Sequence, residues 1–486
     1  MAASLVGLPQ AAFGQQSRAR RSRQAAKNII FCVSDGMSWG VPSMFNQFLN
    51  LTEGKSSTWV TLLEADDAVL GTMDTRSLSG LVTDSAAASS SWGSGQHVWN
   101  GMINTYPDGK ELTPVLRLLK DKAKMRTGLV TTSTITHATP AGWCISIDQR
   151  DKERQIAELY LKAGYDVYFG GGDKFFAGNE KQTDLYAEFA RAGYGIAKNR
   201  SELSAIKEGK ALGVFSSGHV PYEIDRLNQA DITAKVPSLG EMTKKAIALL
   251  KGSSDGFILQ VEGARIDHAA HNNDAAGLLY DQLAFEEAVK AVLEFARQDG
   301  ETLVVVTSDH GNSNPGLVGS GNEYFSSTAG LRSLAHARAS YDVLLPKINA
   351  DTSLADAQDL IEANLGAKLS EDEATLALSG FKSTNPLKSI EQYNIPASTL
   401  SLALTNHTHV GWNGRQHTSD VTLVTAIGPG AEAFAGPIKN VDVFGKLLAH
   451  RGITHKNATM SYEDAARLLH KQAKQDLLAA EADHWL

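Results

Sequence analysis

The sequence predicts an α/β protein: a central, mostly parallel sheet flanked by helices, with one inserted cap-like segment. Three apolar runs carry this reading, Asn28 to Val33, Gly256 to Val261 and Thr302 to Thr307. They are rich in aliphatic residues and lack polar alternation, so they read as strands buried on both faces, which parallel sheets require. The second observation is a helical pattern from Leu278 to Gln298, apolar at Leu279, Leu283, Val289 and Val292, with Gly300 as an end signal. It leads straight into the third run, giving the alternation of an α/β fold. Third, each run delivers carboxylate, or carboxylate with histidine, into a glycine-marked loop. The first gives Ser34-Asp35-Gly36, the second Glu262-Gly263 with Asp267, His268 and His271 behind, the third Ser308-Asp309-His310-Gly311. Ligands of open parallel sheets lie outside the carboxyl ends of the strands. Hard oxygen donors mixed with imidazole at that place point to a metal centre.

The elements follow in order. Residues 1–26 read as a tail or the remnant of an export signal: Met1 to Gly14 is small and apolar, and a basic stretch with Arg18, Arg20, Arg21, Arg23 and Lys27 follows. It resembles the later part of a secretory signal without its basic start. Residues 27–311 read as the first part of an α/β core, with further strands at Thr127 to Thr132 and Tyr165 to Phe169. The glycines 170–172 that follow match neither the dinucleotide nor the Walker spacing and read as a turn. Between 312 and 406 the pattern loosens, with polar stretches at Ser326 to Thr328 and Ser370 to Glu373 and no strand-end carboxylate. This segment reads as an insertion, a lid or oligomer contact. Residues 407–486 return to the core through a strand at Val421 to Ala426. They close with a helix that starts at the capping-box-like Ser461 and Asp464 and runs through Leu477 and Leu478.

Composition narrows the class. A chain of 486 residues, 42% hydrophobic, can bury a large core. A formal net charge of −8 speaks against a nucleic-acid binder but leaves an anionic substrate open, since bound cations dominate a local field. No apolar run reaches the roughly 18 residues of a membrane span. Cys32 lies in a core strand and Cys144 in an apolar stretch. They read as buried thiols, with a disulfide left open.

Ser85, in Thr83-Asp84-Ser85-Ala86, precedes an alanine-rich stretch that reads as the opening of a helix, where backbone N–H groups favour an anion. Alone, it is an ordinary helix cap. Serine needs a base or a metal to become a nucleophile, and no G-x-S-x-G elbow surrounds it. Asp267 and His271, four apart, share a helix face. Such a pair is usually a surface contact, but here it follows a buried strand and a loop glutamate, Glu262, which favours one shared metal.

At this point the sequence resembles the alkaline phosphatases. The resemblance spans roughly Lys27 to Gly430 and rests on Asp35-Gly36, Thr83 to Ala86, His137-Ala138-Thr139-Pro140-Ala141, Glu262 to Ala264 with Asp267 and His271, Ser308 to Gly311, and His417-Thr418, in the family's order. It implies an alkaline-phosphatase-like fold and two zinc ions per chain, one on Asp267, His271 and His417, the other on Asp35, Asp309 and His310 with Ser85 as nucleophile. It implies one magnesium ion on Asp35, Thr139 and Glu262. Arg150 falls where the family clamps phosphate, with Asp84 to orient it. His137 and His268 resemble the variant that places histidines around the magnesium site. Two departures stand out: Ser419 replaces a usual glycine, and Asn312 stands where a further histidine is common. His97, His219, His407 and His409 read as surface or structural.

The resemblance implies a phosphate-monoester hydrolase acting on small exposed esters through a phosphoserine, inhibited by its product phosphate. It also implies a homodimer in an exported, periplasmic or extracellular location. The alternatives are a phosphodiesterase or sulfatase on the same scaffold, or a catalytically silent metal- or phosphate-binding protein. A sulfatase wants a C/S-x-P-x-R context, whereas Ala86 to Ala88 follow Ser85. A diesterase commonly uses threonine and lacks the third metal site that Thr139 and Glu262 offer here.

Overall fold

A computed structural model of the chain describes residues 25–319, 324–382 and 385–471. The tail expected over the first residues therefore lies, through residue 24, outside the described residues, as do Leu477 and Leu478.

The strands are β1 (Asn28–Ser34), β2 (Val69–Met73), β3 (Arg126–Thr134), β4 (Val167–Gly171), β5 (Tyr194–Ala197), β6 (Lys210–Val214), β7 (Phe257–Gly263) and β8 (Thr302–Thr307). The short β9 (Gly311–Asn312), β10 (Gly316–Leu317), β11 (Val410–Gly411) and β12 (His417–Thr418) follow, then β13 (Thr422–Ile427) and β14 (Gly436–Ile438). Ten of them form one sheet in the order β14-β2-β13-β8-β1-β7-β3-β4-β6-β5. Only β13 runs antiparallel to its neighbours, β2 and β8.

The three apolar runs are the central strands, buried along their whole length. Alternation within them serves two cores. Ile30, Cys32, Leu259, Val261, Val304 and Val306 face one cluster, which includes helices Gly40–Glu53, Leu239–Leu250 and Ala275–Asp299. Ile29, Phe31, Val33, Ile258, Leu303 and Val305 face the other, with helices Val115–Ala123 and Glu153–Ala163. This two-sided burial is why no polar alternation marks these strands. The long helix starts at Ala275, earlier than its apolar pattern suggested, because the Asp274 side chain caps it by accepting from the Gly277 amide at 2.8 Å.

The described residues between β10 and β11 are mainly helical, a feature the looser pattern hid. Helices Leu354–Leu365, Glu371–Ser379 and Pro396–Thr408 enclose an apolar cluster of their own with Tyr341, Leu344, Ile361, Leu378 and Leu400. The polar stretch at 370–373 is a capping box between Ser370 and Glu373. The base of this segment is pinched by two antiparallel pairings, β9 with β12 and β10 with β11. Ser461 accepts from the Asp464 amide at 3.1 Å, and helical backbone runs from 462 to 471. Cys32 and Cys144 are buried free thiols.

Candidate metal centre and active site

Register decides where the carboxylates emerge. Val33 of β1 pairs with Glu262 of β7 and with Thr307 of β8, and Thr131 of β3 pairs with Glu262. Asp35, Glu262 and Asp309 therefore leave one edge of the sheet side by side. Glu262 lies within β7, not in the loop after it, so its position is fixed by the ladder. Gly36 follows Asp35 with φ +65°, and a Cβ there would lie 2.3 Å from Asp267 Oδ1. Only glycine satisfies both constraints. Its amide donates to Asp309 Oδ1 at 3.0 Å, tying the β1 loop to the β8 loop.

Side chains collect here in three groups whose donor atoms lie within 4.8 Å of one another: Asp267, His271 and His417; Asp35, Asp309 and His310; and Asp35, His137 and Glu262. His417 is far along the chain, and the β9–β12 pairing, which sets it opposite Asn312, carries it back. Asp267 and His271 ride one face of helix Arg265–His271. Thr139, at the start of helix Ala138–Gly142, donates to Asp35 Oδ2 at 3.3 Å.

Ring orientation favours ions. His271 Nδ1 meets the Arg415 carbonyl at 2.7 Å, His417 Nδ1 the Thr83 carbonyl at 2.8 Å, and His310 Nδ1 the Gly311 carbonyl at 3.3 Å. A carbonyl only accepts, so each ring carries its proton on Nδ1 and turns the Nε2 lone pair inward. The Nε2 atoms of His271 and His417 then face each other at 3.0 Å, which suits a shared cation and not a hydrogen bond. On the carboxylate side, Asp35 Oδ1, Asp309 Oδ2 and both Glu262 oxygens are buried without a hydrogen-bond partner. Burial pushes Glu262 and Asp309 up to about 7. Burial, then the charges of Asp309, Asp267 and Glu262, raise Asp35 well above the carboxylate range. Asp267 is also buried, yet His271, His417 and His310 hold it well below that range. Three buried carboxylates with orphaned oxygens, beside a fourth, Asp267, held ionised among histidines, call for cations, because uncompensated buried charge is prohibitive. The donor set fits: imidazole with carboxylate suits zinc, and oxygen-rich Asp35 and Glu262 suit magnesium.

Ser85 is the first residue of helix Ser85–Ser94. Asp84, not Ser85, is its cap, accepting from the Ala87 amide at 2.9 Å. That frees the Ser85 hydroxyl, which is buried 3.3 Å from His310 Nε2. That places the hydroxyl next to a residue that would hold a metal ion, the activation serine needs. Arg150 Nη1 donates to Asp84 Oδ2 at 3.1 Å, and its Nη2 donates to His137 Nε2 at 2.9 Å. The guanidinium is thus fixed in place with donors to spare.

Two further histidines pack around His137, the ring that holds that arginine. His137 lies 5.8 Å from His268 and 5.9 Å from His219, ring centre to ring centre, and the latter two are 4.5 Å apart. His219, read from sequence as surface or structural, stands in this cluster with its Nδ1 accepting from the Thr134 amide at 3.1 Å. Burial first, then Arg265, lowers its pKa to about 4. Nothing in its local sequence marks it. Arg265 was also passed over as a functional group: its Nη1 donates to His268 Nδ1 at 3.0 Å. Asn312, noted as a departure from the family, donates from Nδ2 to Asp267 Oδ1 at 2.7 Å. Of the other histidines read as structural, His407, on helix Pro396–Thr408, pairs with Glu373 at 3.1 Å.

Comparison with known proteins gives a consistent picture. The family model described as alkaline phosphatase matches residues 26–451. Alkaline phosphatase 3 of Bacillus subtilis (strain 168) is 33% identical over 438 residues, covering 88% of this chain and 89% of that protein. The crystal structure of Thermus thermophilus alkaline phosphatase superposes with a TM-score of 0.86 at 33% identity, covering 96% of this chain and 100% of that one. A cold-active enzyme of that class from a psychrophilic Shewanella gives 0.72 at 27% identity, covering 87% and 99%.

Proposed function

This chain belongs to the alkaline phosphatase family and is a phosphate-monoester hydrolase, and we propose that it turns over through a phosphoserine on Ser85. The observation that supports this best is the Ser85 hydroxyl at 3.3 Å from His310 Nε2, beside the buried, unpartnered carboxylate oxygens of Asp35, Asp309 and Glu262.

In this reading Asp267, His271 and His417 hold one zinc ion. Asp35, Asp309 and His310 hold a second, and Asp35, Thr139 and Glu262 hold magnesium. His137, which lies in the third donor group, adjoins the magnesium site. Bound there, the ions supply Lewis-acid stabilisation of both the entering and the departing oxygen. Arg150, gripped by Asp84 and His137, offers paired N–H donors to two phosphoryl oxygens, a bidentate contact that a lysine cannot reproduce. The N-terminal end of helix Ser85–Ser94 adds a favourable field for the anion. Ser85 Oγ attacks phosphorus as the ester oxygen leaves with its electron pair and takes a proton as the alcohol. Water then cleaves the Oγ–P bond, restoring the serine hydroxyl and releasing inorganic phosphate. An exported location and a homodimer complete the reading. Both rest on the family and are checked by cell fractionation and light scattering. No helix among the described residues is long and apolar enough to cross a membrane.

Side-by-side assays of p-nitrophenyl phosphate, bis-p-nitrophenyl phosphate and p-nitrophenyl sulfate test the substrate class. The monoester is hydrolysed far faster than the other two. Preference for the diester or the sulfate overturns the reading.

A further inference from the structure

Resting on that phosphatase reading, we propose that Asp342, a residue of the inserted segment, is a positioning residue for phosphate, acting through Arg265 to set His268 as a hydrogen-bond donor. Helix Tyr341–Leu344 is locked onto the core by three consecutive residues. The Ser340 amide and hydroxyl donate to Asp225 at 2.8 and 2.6 Å, the Tyr341 amide donates to Asp274 Oδ2 at 2.7 Å, and Asp342 Oδ2 accepts from Arg265 Nη2. Arg265 itself is buried, and its guanidinium carbon stands 3.7 Å from the centre of the Tyr222 ring. The remaining terminal nitrogen, Nη1, donates to His268 Nδ1 at 3.0 Å.

A guanidinium can only donate, so His268 Nδ1 must accept and the ring proton sits on Nε2. His268 is the one residue of helix Arg265–His271 that follows Asp267 directly, and its ring lies 5.8 Å from that of His137, the acceptor of Arg150. Among the described residues no protein group takes the His268 Nε2–H. It is an oriented neutral donor one ring away from the arginine clamp, next to His137, where a phosphoryl oxygen can accept it. The chain Asp342–Arg265–His268 links the inserted segment to the site. Without Asp342, Arg265 loses the acceptor that fixes its plane, and the histidine ring is no longer restrained to this tautomer.

The test is a double-mutant cycle on the full-length metal-loaded enzyme, with Asp342→Asn, His268→Ala and both together. The readout is the competitive inhibition constant of inorganic phosphate against p-nitrophenyl phosphate, with thermal unfolding recorded for each. Loss of one oriented hydrogen bond weakens phosphate by about 3- to 10-fold in each single variant. The double variant is then no weaker than His268→Ala alone, because both changes remove the same contact. A ¹⁵N spectrum of His268 reports the tautomer directly: proton on Nε2 in the wild type, a mixture in Asp342→Asn and in Arg265→Met, and recovery towards the wild type in Arg265→Lys. Additive losses in the cycle, or an unchanged tautomer in Asp342→Asn, overturn the proposal. If the wild type fails to hydrolyse the monoester at all, the failure lies instead with the phosphatase reading.

Discussion

Asn312 offers the sharpest test of how the metal centre is held. Its side chain is fully buried and donates from Nδ2 to Asp267 Oδ1 at 2.7 Å and to the Asp267 carbonyl at 3.2 Å, while Oδ1 accepts from the Ser313 hydroxyl at 2.7 Å. Asp267 faces His271 and His417, so Asn312 fixes the carboxylate of that donor group from behind. A hydrogen bond to a charged group contributes roughly 1.5–3 kcal/mol. At about 1.4 kcal/mol per decade, Asn312→Ala should weaken zinc there by about 10- to 100-fold, the range typical of groups that orient a ligand. Asn312→His, which keeps a donor, should lose less. The assay is competition with a chromogenic chelator, read alongside p-nitrophenyl phosphate turnover at saturating and limiting zinc. Activity should return at high zinc in Asn312→Ala. A zinc affinity within twofold of the wild type would refute the reasoning, because Asp267 would then be oriented by something else.

Three further outcomes follow. Arg150→Ala should raise the inhibition constant of phosphate and slow turnover by about 10²-fold, since a preorganised donor to the transition state is lost; unchanged inhibition would place the clamp elsewhere. The purified protein should carry about two zinc and about one magnesium per chain, lose activity on chelation and regain it with both metals; full activity in metal-free protein by elemental analysis would end the metal reading. Glu286, a buried residue of helix Ala275–Asp299 with Oε1 unpartnered, is pushed by burial up to about 7. The unfolded chain releases this proton first, so between about 4.5 and 7 the folded state binds more protons and stability falls as pH rises. Glu286→Gln should gain up to about 3 kcal/mol over the wild type at pH 8 and little at pH 4, measured by urea unfolding; an equal difference at both pH values would contradict the shift.

The sheet and most of its site were legible because buried parallel strands advertise themselves as apolar runs, and each ended on its own carboxylate. Asp35, Glu262 and Asp309 could be read locally. What joins them could not. The β9–β12 pairing that returns His417 is two residues long, too short for any periodic signal. β2, with Leu70 about half exposed, carries no strong apolar run. The helical cluster between 326 and 408 was missed although Ser370 and Glu373 form a capping box, a signal present in the sequence but read as mere polarity. His219 and Arg265 act through contacts made only in the fold. Ser85 was placed one position off in its helix because Asp84, three residues before Ala87, is the better cap.

The central claim is that Ser85 carries the phosphoryl group. Mixing enzyme with ³²P-labelled monoester, quenching in acid and mapping the labelled peptide tests it directly. The account predicts phosphoserine at position 85, and no label in a folded, metal-loaded Ser85→Ala variant. Label on another residue, or turnover by the wild type with no covalent phosphoenzyme trapped under any quench condition, would contradict it.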